Sequence, residues 1–186
     1  MGPIAQATIN IVSSHPTVLL QKLNNTDAVL AFNNSEDPAV VVQKIKAEAI
    51  DAYFRGHDVP LEGTGMKMVL EAEKNNIDWR LLPAIAMRES TGGKFACKNA
   101  SHNFFGWGSC KINFNSDEEA IEVVAKNLGG NNPKTAWHYS DKTTVQILRA
   151  YNPPSIVLRY AEQVMKIMDS IGDAEISIGL TGPVAA

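Results

Sequence analysis

Glu89 stands out as a carboxylic acid because apolar residues precede it at helical spacing. They are Leu82, Ile85 and Ala86, which a helix would place on the same face as the carboxyl. Burial disfavours the charged form, so we expect the pKa of Glu89 to lie above its reference value of about 4.3. A carboxyl that keeps its proton near neutral pH can act as a general acid. The spacing alone leaves a second interpretation open, in which Glu89 reaches solvent or pairs with Lys94.

A second group of residues suited to ligand binding follows in residues 94–115. This stretch holds both cysteines, several aromatic residues and further glycines, and it has no helical period, so we expect a loop or a small irregular hairpin. Trp107 is flanked by Gly106 and Gly108, which would leave its ring face open for stacking. Phe104 and Phe105 are adjacent, so we expect at least one of them to pack inward.

Cys97 and Cys110 bracket this loop, with twelve residues between them. A disulfide here would contribute about 3 kcal/mol in the chain-entropy model, would steady residues 103–107, and would fit an extracytoplasmic protein. We favour this pairing over two alternatives that remain open. A zinc site with His102 has no obvious fourth ligand. A nucleophilic cysteine near His138 is typical of cell-wall amidases, which are rich in strands.

Helices must position these groups, because periodic apolar residues recur along most of the chain. We therefore expect a mainly α fold of about six helices. A capping box at Ser116 to Glu119 is the clearest helix start, and Pro83 is expected to bend or restart its helix. The expected helices run from Pro38 to Gly56, Met66 to about Asn75, Trp79 to about Ser90, Ser116 to Leu128, Ser140 or Asp141 to Tyr151, and Ser155 to Gly172.

The composition of the 186 residues is that of one globular domain, with 45% hydrophobic and 20% charged residues. We expect an arm or linker at residues 1–35, the domain at 36–172 and a small-residue tail at 173–186. The N-terminus lacks the basic start and continuous apolar stretch of a signal peptide. No apolar run approaches the roughly 20 residues that span a bilayer.

The formal net charge of −3 argues against strong binding to nucleic acid or anionic lipid. Neither a phosphate-binding loop nor a Gly-x-Gly-x-x-Gly pattern occurs, so no nucleotide cofactor is indicated. No histidines show paired spacing either. We expect no cofactor, no metal and a monomeric protein.

Four motifs resemble, in chain order, those of a known enzyme family. Residues 84–90, Ala-Ile-Ala-Met-Arg-Glu-Ser, resemble the catalytic helix of the lysozyme-like superfamily. Residues 103–107, Asn-Phe-Phe-Gly-Trp, are similar to the Asn-x-Phe-Gly element of the bacterial glucosaminidase family, peptidoglycan hydrolases of that superfamily. Residues 114–121 resemble the helix start that follows this element. Ala150-Tyr151-Asn152 and Arg159-Tyr160-Ala161 resemble the closing segment, and the former also matches a motif of soluble lytic transglycosylases.

The resemblance extends from about Leu61 to Ile171 and implies a lysozyme-like helical domain with a short loop lobe. It implies that Glu89 protonates the glycosidic oxygen of peptidoglycan glycan strands. It places Tyr151 near the reacting sugar, where it would steady developing positive charge or the N-acetyl group. The sugar-binding positions that it implies are Ser90, Asn103, Phe104, Gly106, Trp107, Asn152 and Tyr160. Tyr160 also lies on the buried stripe of its helix, which fits a core residue.

The sequence departs from the usual glycosidase pattern of two catalytic carboxylates, because a second one is not evident. No acidic residue occurs between Ser90 and Ser116, and helix capping explains Asp117, Glu118 and Glu119. It remains an alternative that one of these three residues acts as a second catalytic group. With a lone acid, the substrate's N-acetyl group can be the nucleophile, which makes a β-N-acetylglucosaminidase our first interpretation.

Three other functions remain open. In a lytic transglycosylase of the same fold, the muramic-acid C6 hydroxyl attacks and leaves an anhydro product. A non-catalytic domain could bind cell-wall glycan in the same cleft. A purely structural helical interaction domain would have no affinity for glycan.

Overall fold

Helix is the regular structure of residues 37–180, the part of the chain that our computed structural model describes, with side chains to residue 173. No strand occurs within this range, so the predicted mainly α fold class is confirmed. The predicted arm or linker at residues 1–35 lies outside it, as does the end of the predicted tail. The helices of the range are α1 (Pro38–Gly56), α2 (Gly65–Lys74), α3 (Leu81–Ser90), α4 (Trp107–Cys110, a single turn with left-handed φ at residues 108–110), α5 (Asp117–Leu128), α6 (Ala136–Tyr139), α7 (Thr144–Tyr151) and α8 (Tyr160–Leu180).

Local capping explains where α1 and α5 begin. The Asp37 carboxylate accepts a hydrogen bond from the Ala39 backbone N–H at 2.9 Å, and proline follows at the first helical position. The Ser116 hydroxyl accepts from the Glu119 N–H at 3.2 Å, as the predicted capping box requires. The Glu119 carboxylate accepts from the N–H of Asn115 and not of Ser116, so the return bond is displaced by one residue.

Three helix boundaries differ from those predicted by periodicity. Helix α3 begins at Leu81, which places Pro83 in the first turn, where its missing N–H breaks no helical bond and causes no bend. Helix α7 begins after Thr143, whose hydroxyl and backbone form a capping box with Gln146. Helix α8 begins at Tyr160, five residues after the predicted cap at Ser155.

Helix α8 also continues through Gly172, where the sequence analysis placed its end, and reaches Leu180. A Cβ at Gly172 would lie 3.2 Å from Nη1 of Arg80, so this glycine permits the close approach of α8 to the start of α3. A mid-helix glycine costs about 1 kcal/mol relative to alanine. The nearby Arg80 side chain would have to shift slightly if this residue had a Cβ, and the first residues of the predicted tail are helical.

Helix α3 is buried along most of its length and anchors the site. Helix α8 packs against α1, α3 and α7, and α2 packs against α1 and α5. Each fully buried leucine or isoleucine contributes roughly 1.5–3 kcal/mol to folding. The fully buried apolar side chains of α3 are Leu81, Leu82, Ala84, Ile85 and Ala86. None of the helices within residues 37–180 is long and apolar enough to cross a membrane.

Candidate functional site

Glu89 lies in the last turn of α3, at the point where the chain leaves the core. Thr91 follows in the left-handed conformation with a φ of 51°, which ends the helix. The Ser90 hydroxyl accepts a hydrogen bond from the Gly93 N–H at 3.0 Å and fixes this turn. The buried α3 therefore holds the Glu89 carboxyl at a set position, and the carboxyl is itself only partly exposed.

The Tyr160 hydroxyl donates a hydrogen bond to Oε1 of Glu89 at 2.5 Å. Tyr160 is the first residue of α8, and its ring is buried, with the Arg88 guanidinium carbon 5.6 Å from the ring centre. Burial raises the pKa of Glu89, while this hydrogen bond and the Arg88 charge lower it, and burial dominates. Glu89 therefore keeps its proton to a higher pH than an exposed glutamate does, as the sequence analysis expected.

The alternative pairing of Glu89 with Lys94 is not observed. The Lys94 ammonium donates to the His57 backbone carbonyl at 3.1 Å and lies 3.6 Å from the Asp58 carboxylate. These contacts direct Lys94 to the α1–α2 connection, so the carboxyl of Glu89 has tyrosine and not lysine as its partner.

The disulfide between Cys97 and Cys110 is present and closes the loop that faces Glu89. Inside the loop, the Asn103 side chain donates to the backbone carbonyls of Trp107 and Ile112, both at 2.9 Å, and accepts from the Trp107 N–H at 2.8 Å. These bonds use both donors of the amide and one lone pair of its oxygen within the loop. They hold the turn that carries Trp107.

Gly106 is the point where this loop comes closest to the acid. Its φ of 67° is left-handed, and a Cβ there would lie 3.2 Å from Oε2 of Glu89. The glycine thus leaves room beside the second carboxyl oxygen. Oε1 accepts the hydrogen bond from Tyr160, whereas Oε2 lies next to Gly106.

Tyr151, at the end of α7, joins the loop to the acid. Its hydroxyl donates to the Phe105 backbone carbonyl, and its ring stacks on Tyr160 with centres 6.0 Å apart and planes 10° apart. Burial and the nearby Glu89 charge hold the pKa of Tyr151 well above its usual value. The single hydroxyl proton is used on Phe105, so only the lone pairs of the Tyr151 oxygen remain for a ligand.

These groups border an open cleft of about 530 Å³. This volume lies in the range of about 300–1,000 Å³ that is usual for ligand sites. Among its described lining residues, Glu89 is the one carboxylate, and lysine and arginine do not occur. The lining residues are Glu89, Gly106, Trp107, Gly108, Ser109, Thr135, Trp137, His138, Tyr139, Tyr151, Asn152, Pro153 and Ile156.

The segment from Thr135 to Tyr139 forms a second wall that is anchored to α5. Oδ1 of Asn127 accepts from the Thr135 hydroxyl at 2.6 Å and from the Asn132 side chain at 2.9 Å. Nε2 of His138 lies 3.0 Å from the Ala150 carbonyl, which can only accept, so the proton is on Nε2. Burial raises the pKa of Tyr139 to about 12, so this tyrosine is uncharged at neutral pH.

Five of the predicted site residues line the cleft, namely Glu89, Gly106, Trp107, Tyr151 and Asn152. Four others, Ser90, Asn103, Phe104 and Tyr160, are buried behind it. Asn103 bonds the loop backbone and Phe104 belongs to the hydrophobic core, so these two side chains do not line the cleft. Ser90 fixes the end of α3 and Tyr160 positions the acid.

The predicted second carboxylates lie elsewhere. Asp117, Glu118 and Glu119 form the first turn of α5 and do not line the cleft. His102, considered as a zinc ligand, pairs with Asp117 at 2.8 Å, and both cysteines are in the disulfide. Among the described residues, no group of three metal-ligand side chains occurs.

The second wall and the turn between α7 and α8 are the parts of the site that the sequence did not identify. The adjacent aromatic residues Trp137, His138 and Tyr139 were a signal, but the sequence left cleft lining and loop packing equally open. Pro153 and Ile156 gave no signal, since they reach the cleft only through the turn between α7 and α8.

Comparisons with models of protein families, with curated proteins and with solved structures each gave no match.

Proposed function

We propose that this domain is a β-N-acetylglucosaminidase of lysozyme-like fold that cleaves the glycan strands of peptidoglycan, with Glu89 as the general acid. One observation carries the proposal: a carboxyl whose pKa burial raises lies at the end of a buried helix, in a cleft lined by aromatic side chains. The resemblance of the motifs at residues 84–90, 103–107, 114–121 and 150–161 to those of the glucosaminidase family is the basis for proposing this family.

The cleft lining favours a sugar over other polymers. Lysine and arginine are absent from its described lining, so it offers no cation to bind nucleic-acid phosphates or peptide carboxylates. Trp107 and Tyr151 present aromatic surface, with ring centres 5.7 Å apart. A pyranose ring has an apolar face that suits aromatic surface and hydroxyls that suit the backbone and amide groups of the wall.

The chemistry requires one protein acid in this proposal. Glu89 donates its proton to the glycosidic oxygen as the bond from that oxygen to C1 breaks. The carbonyl oxygen of the substrate's own N-acetyl group bonds to C1 and forms an oxazolinium ion. Water then adds to C1, Glu89 recovers a proton from it, and the acetamido group is restored. This route needs no second carboxylate, in agreement with the cleft lining.

Tyr151 has a defined part in this scheme. Because its proton is donated to Phe105, its oxygen can only accept, and it can accept from the N–H of the acetamido group. That contact would orient the nucleophilic carbonyl toward C1, and the lone pairs would stabilise positive charge developing on the sugar. A hydroxyl that was free to donate could equally bind the acetamido carbonyl, so it would not favour the N–H.

The disulfide supports an extracytoplasmic location, since such bonds persist in oxidising compartments. Peptidoglycan lies in such a compartment, so substrate and location agree. A monomer remains our expectation for the oligomeric state.

The products distinguish hydrolysis from attack by the C6 hydroxyl. We expect mass spectrometry of digested peptidoglycan to show reducing ends that carry the added water. Incubation in ¹⁸O-labelled water should place the label at the new C1 hydroxyl. Anhydromuramic ends without label would contradict the hydrolase and assign the same acid to a lytic transglycosylase.

Tyr160→Phe is expected to shift the pH profile. Glu89 must carry its proton to act, so activity falls as pH rises through its pKa. The Tyr160 hydrogen bond lowers that pKa, hence its removal raises the pKa and moves the alkaline limb to higher pH. The rate at the optimum should fall about tenfold, because Oε1 loses its positioning bond.

The measurement is the rate of fragment release across the pH range, with Tyr53→Phe as the matched control. Tyr53 lies on α1 and contacts His57, away from the cleft, so its variant should keep the wild-type profile. An unmoved alkaline limb in Tyr160→Phe would show that the hydroxyl does not act on the catalytic carboxyl.

A further inference from the structure

We propose that Trp137 is an outer sugar platform, which binds a pyranose ring of the same glycan strand beyond the bond that is cleaved. The proposal rests on the proposed function and adds to it a preference for long strands over short fragments. It gives a function to the second wall of the cleft, from Thr135 to Tyr139, which has no part in the catalytic scheme.

The exposure of Trp137 is the first observation. Its side chain is 81% exposed although it lines the cleft. Burial of an aromatic side chain ordinarily stabilises a fold, and the exposed Trp137 ring contributes little of this stabilisation. Single exposed apolar residues are common, so exposure is informative here only together with the position on the cleft wall.

The ring is also held in place, which distinguishes it from a freely rotating surface residue. Its indole N–H donates to the Lys134 carbonyl at 3.2 Å, and its ring centre is 4.9 Å from that of His138. His138 is in turn bonded to the Ala150 carbonyl. The hydrogen bond and ring contact already restrict the exposed indole ring. A ligand that stacks on its face would therefore immobilise it at little further entropic cost.

A second exposed apolar residue lines the same cleft. Ile156, in the turn before α8, is 75% exposed, and Leu158 nearby is 76% exposed. Trp137 and Ile156 come from different segments, so the fold brings exposed apolar surface together at the cleft. Glu89 lines the same cleft, and its described lining has no lysine or arginine, so stacking on apolar surface rather than ion pairing would have to provide the affinity for a strand that passes through it.

The test is equilibrium binding of peptide-free glycan strands of increasing length, all in the Glu89→Gln background so that nothing is cleaved. We expect Trp137→Ala to weaken binding of long strands about tenfold and to leave a single disaccharide unit unaffected. Trp137→Phe should retain most of the affinity, because it keeps an aromatic face. Phe95→Ala is the matched control, since Phe95 is 75% exposed but lies outside the cleft lining.

Three results in a protein that binds glycan would overturn the platform. They are equal affinity of wild type and Trp137→Ala for long strands, a loss that is the same at every length, and an equal loss in Phe95→Ala. Thermal melting of each variant confirms that it is folded. Cleavage by the enzyme with Glu89 intact is measured separately, so an inactive protein that still binds long strands through Trp137 would contradict the proposed function and keep the platform. A protein that binds no glycan at all would contradict both.

Discussion

Glu89→Gln is expected to lower the rate of glycan cleavage by about 10²–10⁴-fold, the usual contribution of a positioned general acid. Glutamine keeps the size of the side chain and still offers an oxygen to the Tyr160 hydroxyl, but it has no proton to give to the glycosidic oxygen. The measurement is the release of soluble fragments from purified peptidoglycan at the pH optimum.

The same variant should be at least as stable as the wild type. Burial disfavours the charged carboxylate of Glu89, whereas an uncharged amide avoids that cost. We therefore expect an unchanged or higher melting temperature above the pKa of Glu89. A loss of activity together with a retained melting temperature would separate a catalytic role from a structural one.

The matched control is Glu162→Gln on α8, which removes an exposed carboxylate two residues after Tyr160. It should leave both rate and stability unchanged. Glu89→Gln with wild-type cleavage would overturn the catalytic assignment. If the wild type binds cell walls but does not cut them, the domain is a glycan-binding module; if it neither binds nor cuts, a structural helical domain remains.

Loss of the disulfide is expected to have the largest effect on stability. The bond closes a loop between residues 13 apart in sequence, for which the chain-entropy model gives about 3 kcal/mol. Cys97→Ser with Cys110→Ser should thus lower the melting temperature by about 6–12 °C. Activity should fall as well, because Gly106 and Trp107 are positioned by the closed loop.

Reduction of the wild type with a dithiol removes the same disulfide without a substitution. It should reproduce the melting temperature of the double serine variant and should not affect that variant further. Equal melting temperatures for oxidised wild type and the double variant would contradict the proposed stabilisation. Persistent full activity in the double variant would show that the loop keeps its shape without the bond.

The helices were largely predictable because their signals are local. Asp37 with Pro38 marks the start of α1, and Ser116 with Glu119 marks the start of α5, since a cap depends on residues only a few positions apart. The candidate acid was predictable for the same reason, as apolar residues three, four and seven positions before Glu89 share its helical face.

The boundaries that were wrong have different causes: the start of α7 is set by the local capping box of Thr143 with Gln146, whereas α8 continues through Gly172 next to a residue that is distant in sequence. Gly172 was interpreted as a helix end, but its lack of a side chain serves contact with Arg80, which lies on a different part of the chain. The sequence also does not show that the amide of Asn103 donates to two carbonyls of its own loop, which keeps this side chain out of the cleft lining.

The sequence by itself determined the helical class, the acid on an apolar helix face, and the glycine-flanked aromatic loop between two cysteines. Each of these follows from spacing within one segment. Only the tertiary structure decided that Tyr160 bonds to Glu89 across 71 positions of sequence, that Tyr151 donates to Phe105, and that Trp137 reaches the cleft. Such contacts depend on how whole helices pack, and packing is a property of many residues together that no short spacing encodes.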